Sequence, residues 1–420
     1  MSLFAPGESQ HIVKTISAEL CLRCRFAKLL CGRPVCPILL KLDAYNNVSR
    51  ILSKEVSGDT PPAAFVGTSG YPNVSVGPLL PPLHGDTRIY DEPELWYGLG
   101  FQEIVNLRTF MVRGKERYNV NDANQAKGLL YDLQISNLAI RPVSAEMVFS
   151  KQPSSTAHFD DDSPPFGPSA WLKKYRLNSQ NSDRRLEYVF YDRDLGSTEG
   201  IITLYTKGIS VNSIQRLLSV GMLGRKRRLV PTRWSITAVD DAISKWLLER
   251  VKQNTTIDDF RVFIKDYLGS RYVIIMLPFQ FSFEWIEAWY PKTTFNPSTS
   301  EVYSIGDFEG QRGRKSYAAP GGCYYSVRLA VSEYLDSIRR QAAVIALREI
   351  YPGQILPLGV WNVREAIRHA LKSSYKSFDS IESSVNFALS NLRMGERFWR
   401  SNSRILRQFM LQNSLDMFIT

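Results

Sequence analysis

The sequence has few cysteines and no long apolar run. Five cysteines in 420 residues are too few for the disulfide framework of a small secreted protein. No run of about 18 uncharged apolar residues occurs, so a membrane-spanning helix is not expected. Residues 1–10 lack both the basic and the apolar region of a secretory signal. We therefore expect a cytoplasmic protein with no membrane partner.

Common enzyme motifs are also missing. The glycines form neither a G-x-G-x-x-G turn after a strand nor a P-loop, so the sequence gives no sign of an ATP or dinucleotide site. The four histidines are scattered, and no Ser/His/Asp or Cys/His set can be assembled around them. The sequence leaves open whether the protein is an enzyme.

The composition is that of a basic globular protein. Apolar residues make up 44% of the chain, which excludes a disordered acidic protein or a collagen-like repeat. Fifty-two Lys and Arg against 41 Asp and Glu leave a net charge of +11. Such a charge favours an anionic partner, namely nucleic acid, a nucleotide or an acidic membrane surface, although many basic proteins bind none of these.

The length and the hydrophobic patterns predict an α+β fold with two domains. We expect a mixed N-terminal domain, made of a helical segment with a zinc knuckle (1–56) and a body (57–290). A smaller, mainly helical C-terminal domain (300–411) and a tail (412–420) follow. Alternating residues predict strands at 186–192 and 201–207, and helical spacing predicts helices from Ala238 to about Lys252 and over 324–350.

Four of the five cysteines fall within sixteen residues, in the pattern C-x2-C-x6-C-x4-C. Four thiolates this close can converge on one tetrahedral zinc ion, which would fold a segment too short to bury its own core. An iron–sulfur cluster is the alternative, although the spacing matches neither common ferredoxin run. The predicted metal ligands are Cys21, Cys24, Cys31 and Cys36.

Two basic segments are candidates for contact with phosphates, and solvated surface is the alternative for both. Around the cysteines, the basic residues are Arg23, Arg25, Lys28 and Arg33. The second segment reads GRKRR and comprises Arg225, Lys226, Arg227 and Arg228. Just after it, Arg233 and Trp234 offer a cation and a stacking surface for a base or a nucleotide, although Trp234 also suits a core.

Three acids are candidates for a metal-dependent reaction on DNA. They are Asp240, Asp307 and Glu309, and the last two lie in a basic, glycine-rich stretch. These acids would support catalysis only if the fold brings them together around one metal ion.

Residues 412–420 read QNSLDMFIT and resemble the clamp-binding peptide (PIP box) of replication and repair proteins. In one tight helical turn, Leu415 and Phe418 form an apolar plug, Gln412 reaches a polar pocket, and Ile419 stands where a second aromatic residue is usual. An amphipathic tail packed on its own domain is the alternative.

With the cysteine knuckle and this tail, three segments carry a wider resemblance: PPAAFVGTSGYPNVSVGPL (61–79), VPTRWSITAVDDAIS (230–244) and YAAPGGCYYSVRLAVSEYL (317–335). Together they resemble the archaeal Nre family, in particular its NreA type, over nearly the whole chain. The resemblance implies a DNA-repair factor that binds the sliding clamp (PCNA). It implies two family domains that meet near residue 290, and no known reaction.

The expected function is therefore a DNA-repair factor that binds DNA and docks on the clamp. A metal-dependent or glycosylase-type repair enzyme and a nucleotide-binding regulatory protein are the alternatives. Clustering of the three acids would favour the enzyme, and a deep pocket beside Trp234 would favour the regulator.

Overall fold

The computed structural model describes residues 18–154, 166–178, 181–293, 295–296 and 300–409. Within these residues the helices are α1 (Ala18–Cys24), α2 (Pro37–Ser49), α3 (Phe101–Phe110), α4 (Leu129–Ser136), α5 (Arg184–Tyr191), α6 (Ser197–Thr206), α7 (Val211–Ser219), α8 (Thr232–Val251), α9 (Gly322–Ser337), α10 (Trp361–Lys372), α11 (Ile381–Ser390) and α12 (Glu396–Asn402). The strands are β1 (Glu55–Thr60), β2 (Ala63–Val66), β3 (Asn73–Leu80), β4 (Val112–Asn119), β5 (Val143–Phe149), β6 (Ser169–Leu177), β7 (Phe260–Tyr267), β8 (Ser270–Leu277), β9 (Ser282–Trp289), β10 (Tyr303–Glu309), β11 (Ala343–Ile350) and β12 (Lys376–Phe378).

Six strands form a first sheet in the order β1-β5-β6-β4-β3-β2. Neighbouring strands are antiparallel except β4 and β6, which run parallel. Burial alternates strictly along β5, the pattern of a sheet with one face on a core and one toward solvent. The inner face packs against α2 and against the helices from α4 to α8. The outer face carries exposed basic and aromatic side chains.

The second sheet has the order β10-β9-β11-β8-β7-β12, with only the β9 and β11 pair parallel. All eight residues of β11 are buried. One face of this sheet packs against α9, α10 and the end of α8, and the other packs against α11 and α12. A central strand covered on both sides has no solvent face, so even its charged residues Arg348 and Glu349 are buried.

Helix α8 joins the two halves. Val239, Ile243 and Leu247 belong to the core shared with the first sheet, while Leu248 and Val251 pack with the second. The helix begins at Thr232, six residues before the predicted start, because Pro231 directly before it suits a helix entry. No helix in the described ranges is long and apolar enough to cross a membrane.

The mixed α+β class is confirmed, with two six-stranded sheets. Three local predictions are wrong. Residues 186–192 and 201–207 fall mainly in α5 and α6, because Leu186, Val189 and Phe190 turn one buried helical face inward. The predicted helix over 324–350 ends at Ser337, and β11 follows. The part expected to be mainly helical thus also supplies β10, β11 and β12.

Candidate functional site

The four clustered cysteines surround one small cavity. Cys21 and Cys24 lie on α1, and Cys36 directly precedes α2. Between them the backbone turns back sharply, with positive φ angles of 51° at Arg25 and 61° at Phe26. A cavity of about 20 Å³ is lined by all four cysteines together with Leu20, Phe26, Leu29, Pro37 and Ile38.

Thiols facing a small apolar cavity suit a soft, thiophilic ion such as zinc. In the part of the chain that the structure describes, however, no three His, Cys, Asp or Glu side chains form a group that could hold a metal ion as they stand. The zinc site therefore remains a prediction, and so does the choice between a zinc ion and an iron–sulfur cluster.

The basic residues around the cysteines differ in access. Arg23, Arg25 and Lys28 are exposed and so remain candidates for phosphate contact. Arg33 is only 3% exposed. Its prediction as a nucleic-acid contact is wrong, because a buried guanidinium does not reach a phosphate in solvent.

The GRKRR segment is a loop between α7 and α8, and its basic residues are exposed with one exception. Arg225, Lys226 and Arg228 are exposed, whereas Arg227 is 1% exposed and donates a hydrogen bond to the carbonyl oxygen of Phe190. Burial, together with the nearby charge of Arg193, lowers the pKa of Arg227 to about 10. Arg227 is thus a structural residue, which corrects its prediction as a DNA contact.

Arg233 and Trp234 lie in the first turn of α8. Arg233 is exposed, and the ring of Trp234 lies 5.3 Å from that of Tyr71, which is 50% exposed. Thr232 accepts a hydrogen bond from the Val66 amide at 2.9 Å, which fixes the start of α8 to the end of β2. The two predicted residues therefore form part of an exposed aromatic and basic surface at the β2–β3 turn.

The structure does not bring the three candidate acids together, and each is paired with an arginine. Asp240 is fully buried and accepts hydrogen bonds from Gln215 and from Arg364, at 2.8 Å and 3.0 Å. Burial raises the pKa of Asp240, and the charge of Arg364 opposes that effect. Asp240 cannot meet a substrate, so its prediction as a catalytic residue is wrong.

Asp307 and Glu309 lie on β10. Asp307 accepts hydrogen bonds from Arg314 at 2.7 Å and from the Ala319 amide at 2.9 Å. Burial raises the pKa of Asp307, but these hydrogen bonds outweigh it and hold the pKa below its usual value. Glu309 is buried and pairs with Arg328 at 3.0 Å. Both acids hold the structure together, and nothing in their surroundings favours a shared ion.

Sequence reasoning missed the outer face of the first sheet. On β4, Arg113, Lys115 and Arg117 alternate with residues that face the core. The neighbouring β6 adds Trp171, which is 51% exposed, and the exposed Lys174. We call Arg113, Lys115, Arg117, Trp171 and Lys174, with Phe65 of β2, the cationic face. The period-two R-G-K-E-R in β4 was the signal that could have identified it.

Among the residues that the structure describes, the cations of this face have no acidic partner. In the described residues, no carboxylate forms an ion pair with Arg113, Lys115, Arg117 or Lys174. Burial lowers the pKa of Arg113, and burial and the Arg113 charge both lower the pKa of Lys115. The Nε atom of Arg113 is buried and has no hydrogen-bond partner. Neighbouring cations held without a counter-charge would be stabilised by an anion.

The predicted clamp-binding residues Gln412, Leu415, Phe418 and Ile419 lie outside the described residues. The described chain reaches Phe409, whose ring stacks 4.5 Å from that of Phe279.

Comparison with known proteins agrees with the resemblance noted from the sequence. The family model described as archaeal Nre, N-terminal, matches residues 30–296, and the one described as archaeal Nre, C-terminal, matches residues 309–418. The chain belongs to the archaeal Nre family. No solved structure matches it.

Three curated relatives are similar over most of their length. DNA repair protein NreB of Archaeoglobus fulgidus is 43% identical over 92% of this chain and 97% of its own. DNA repair protein NreA of the same organism is 36% identical, over 91% and 95%. DNA repair protein NreA of Haloferax volcanii is 34% identical, over 78% and 81%.

Proposed function

We propose that the chain is a DNA-repair factor that binds DNA and docks on the sliding clamp. The names of its relatives support the repair role. The observation that carries DNA binding is the cationic face, where exposed and half-buried cations have no carboxylate partner within the described part of the chain. Each phosphate that such a cation neutralises releases a counterion into solution. The entropy of the released counterions makes DNA binding more favourable.

The remaining exposed basic residues extend the proposed contact. Arg225, Lys226 and Arg228 stand on the loop that leads into α8, and Arg233 lies in its first turn. Since α8 begins beside the end of β2, this loop and the cationic face belong to the same half of the molecule. The net charge of +11 agrees with an anionic partner of considerable size.

Docking on the clamp rests on the sequence of residues 412–420. The apolar pair Leu415 and Phe418 and the polar Gln412 have the spacing of a clamp-binding peptide. Each buried apolar side chain of this size contributes roughly 1.5–3 kcal/mol, enough to dominate a short-peptide contact. The protein would then hold DNA with its folded part and the clamp with its tail.

Zinc on Cys21, Cys24, Cys31 and Cys36 completes the proposal. The shared cavity and the sharp backbone turns between the cysteines support it. The ion would cross-link α1 to the start of α2, a segment with little core of its own, and no chemical step is assigned to it.

A DNA-binding titration tests the central claim. Fluorescence anisotropy with labelled duplex, single-stranded and lesion-containing DNA should show binding that weakens as salt rises. If about four phosphates are neutralised, affinity for duplex should fall roughly 100-fold between about 50 and 200 mM salt. The same DNAs, incubated with and without Mg²⁺ or Mn²⁺, report any turnover. Absence of binding to every DNA at low salt would refute the proposal.

A further inference from the structure

We propose that the cationic face, together with the aromatic residues at the β2–β3 turn, binds single-stranded DNA, with bases stacked on Trp171 and Tyr71. This inference rests on the proposed function, because it names the kind of DNA and the surface that holds it. It is carried by Trp171, Lys115 and Arg117 on the outer face of the first sheet, where the described residues supply no carboxylate partner for the two cations, and by Tyr71 in the turn beside Arg117.

The strand register sets aromatic and basic side chains in a row across the sheet. Phe65 of β2 pairs with Gly77 of β3, and Lys115 of β4 pairs with Trp171 of β6. The β3–β4 register, which runs from Val76 opposite Glu116 to Leu79 opposite Arg113, places Gly77 opposite Lys115. Neighbouring strands lie about 4.8 Å apart, so the Phe65 and Trp171 positions are roughly 14 Å apart. Gly77 contributes no side chain, which leaves the row open between them.

The cations follow the strand direction, across this row. Alternate residues of a strand are spaced by about 6.6 Å, so Arg113, Lys115 and Arg117 present three charges over roughly 13 Å. The Arg113 guanidinium lies 4.6 Å from the centre of the Phe65 ring and 5.6 Å from that of Phe166. A charged and flat surface of this kind offers both phosphate contact and stacking.

Two acids on the strands of this surface, among the residues described, do not neutralise it. Glu116 shares β4 with the cations but alternates with them, so it lies on the opposite side of the sheet. Glu146, on β5, stands opposite Arg176 and accepts a hydrogen bond from Asn178 at 3.1 Å. Charge complementarity therefore favours a polyanion on the cationic face.

A second aromatic group continues the same surface. The Arg117 guanidinium lies beside Gly70 in the turn between β2 and β3. Tyr71, the next residue, is half-exposed, and its ring packs against Trp234. The exposed Arg233 adjoins Trp234. A strand that crosses Trp171 and Lys115 would thus pass Arg117 and reach Tyr71.

The exposed rings decide between single-stranded and duplex DNA. Trp171 is 51% exposed, Tyr71 50% and Phe166 39%. Paired bases are already stacked inside a duplex, which offers a flat protein surface mainly phosphates. Unpaired bases can stack on aromatic side chains, and removing one such ring weakens binding by about 5- to 150-fold. A single strand can therefore contact this surface with both its bases, on the rings, and its phosphates, on the cations, whereas a duplex contacts mainly the cations.

Two pairs of full-length variants, with Trp171→Phe as a fifth, test the inference by anisotropy with a labelled oligo-dT, a duplex and an oligo-rU. Trp171→Ala should weaken oligo-dT binding about 5- to 150-fold and leave duplex binding nearly unchanged. Tyr188→Ala is the matched control, because Tyr188 is 54% exposed on α5. Trp171→Phe, which keeps a ring, should restore most of the affinity if stacking is the cause.

The second pair tests the charges. Arg117→Gln with Lys174→Gln should lower the salt slope for oligo-dT by about 1.4, since each single-strand phosphate contributes roughly 0.7. The control removes the same charge from exposed residues of the other half, Lys372→Gln with Lys376→Gln, and should leave the slope unchanged. Melting temperatures show whether all variants are folded.

The outcomes separate the two proposals. If the protein binds DNA but Trp171→Ala binds oligo-dT like the parent, the surface assigned here is wrong and the proposed function stands. Tighter binding of duplex than of oligo-dT, or of oligo-rU than of oligo-dT, likewise overturns the assignment to single-stranded DNA. If no nucleic acid binds at all, the proposed function fails together with this inference.

Discussion

Replacing Asp240 by asparagine should lower the free energy of unfolding by about 3 kcal/mol, because among the described residues it leaves the buried Arg364 with only Glu365 as a partner. The Glu365 carboxylate lies 3.5 Å from the Arg364 Nε and also pairs with Arg368. Asp240 is 0% and Arg364 1% exposed, so water cannot replace the hydrogen bonds that the carboxylate made. The carboxylate accepts one hydrogen bond from Gln215 and contacts Arg364 Nη1 with both oxygens, at 3.0 Å and 3.1 Å. An asparagine offers one acceptor and one donor there, so one of these donors loses its partner.

The structure also predicts that the ion pair between Asp240 and Arg364 contributes little to the net free energy of unfolding. Burial raises the pKa of Asp240 despite Arg364, which means that desolvation of the carboxylate exceeds the attraction it gains. Removing both charges with Asp240→Leu and Arg364→Met should therefore cost much less than the single change, leaving chiefly an unpaired Gln215, about 1 kcal/mol.

Urea unfolding followed by circular dichroism measures these differences. Asp241→Asn is the control: the neighbouring side chain is 28% exposed, and its partner Arg328 keeps Glu309. We expect a loss of about 1.5 kcal/mol for that variant. If Asp240→Asn unfolds within about 1 kcal/mol of the parent, the Asp240 carboxyl is already neutral at pH 7 and the reasoning from a buried ion pair is refuted.

Four further outcomes are expected. Elemental analysis should find one zinc per chain, which serine at any one of the four clustered cysteines removes; iron with visible absorbance would contradict this. Leu415→Ala with Phe418→Ala should abolish clamp binding in a pull-down and leave the melting temperature unchanged, whereas unfolding would mark the tail as internal packing. Arg227→Ala should lower the melting temperature because the residue is buried, while Arg228→Ala should weaken DNA binding alone; equal melting temperatures would argue against that distinction. The folded pKa of Asp307 lies below its ordinary value, so the stability it contributes is present above the unfolded pKa and is lost as pH falls through the folded pKa; the stability gap to Asp307→Asn should narrow in acid, and a constant gap would contradict it.

Residue periodicity predicted secondary structure correctly where a segment fits only one period. The end of α8 follows the predicted position because its apolar spacing is regular, and its last residue is Val251. In α5, Leu186, Val189 and Phe190 satisfy a helical face, yet the surrounding LEYVFYD also alternates like a strand. The two periods conflict over so short a segment, and only packing against the first core resolves them.

Long-range pairing was beyond the reach of the sequence. β11 reads as a helix because its apolar run continues the spacing of α9, but all of its residues are buried between β8 and β9. The site shows the same limit. The GRKRR run gives no sign that Arg227 turns inward, and no motif links Lys115 to Trp171, which only strand pairing brings together.

The position of β11 constrains how this family can be divided. β8 and β9 lie in the segment matched by the N-terminal family model, and β11 between them lies in the segment matched by the C-terminal one. A gene cut between the two segments would yield a first polypeptide with two unpaired apolar strand edges and a second polypeptide with a central strand that has no sheet to enter. We therefore expect either segment, expressed alone, to aggregate rather than fold.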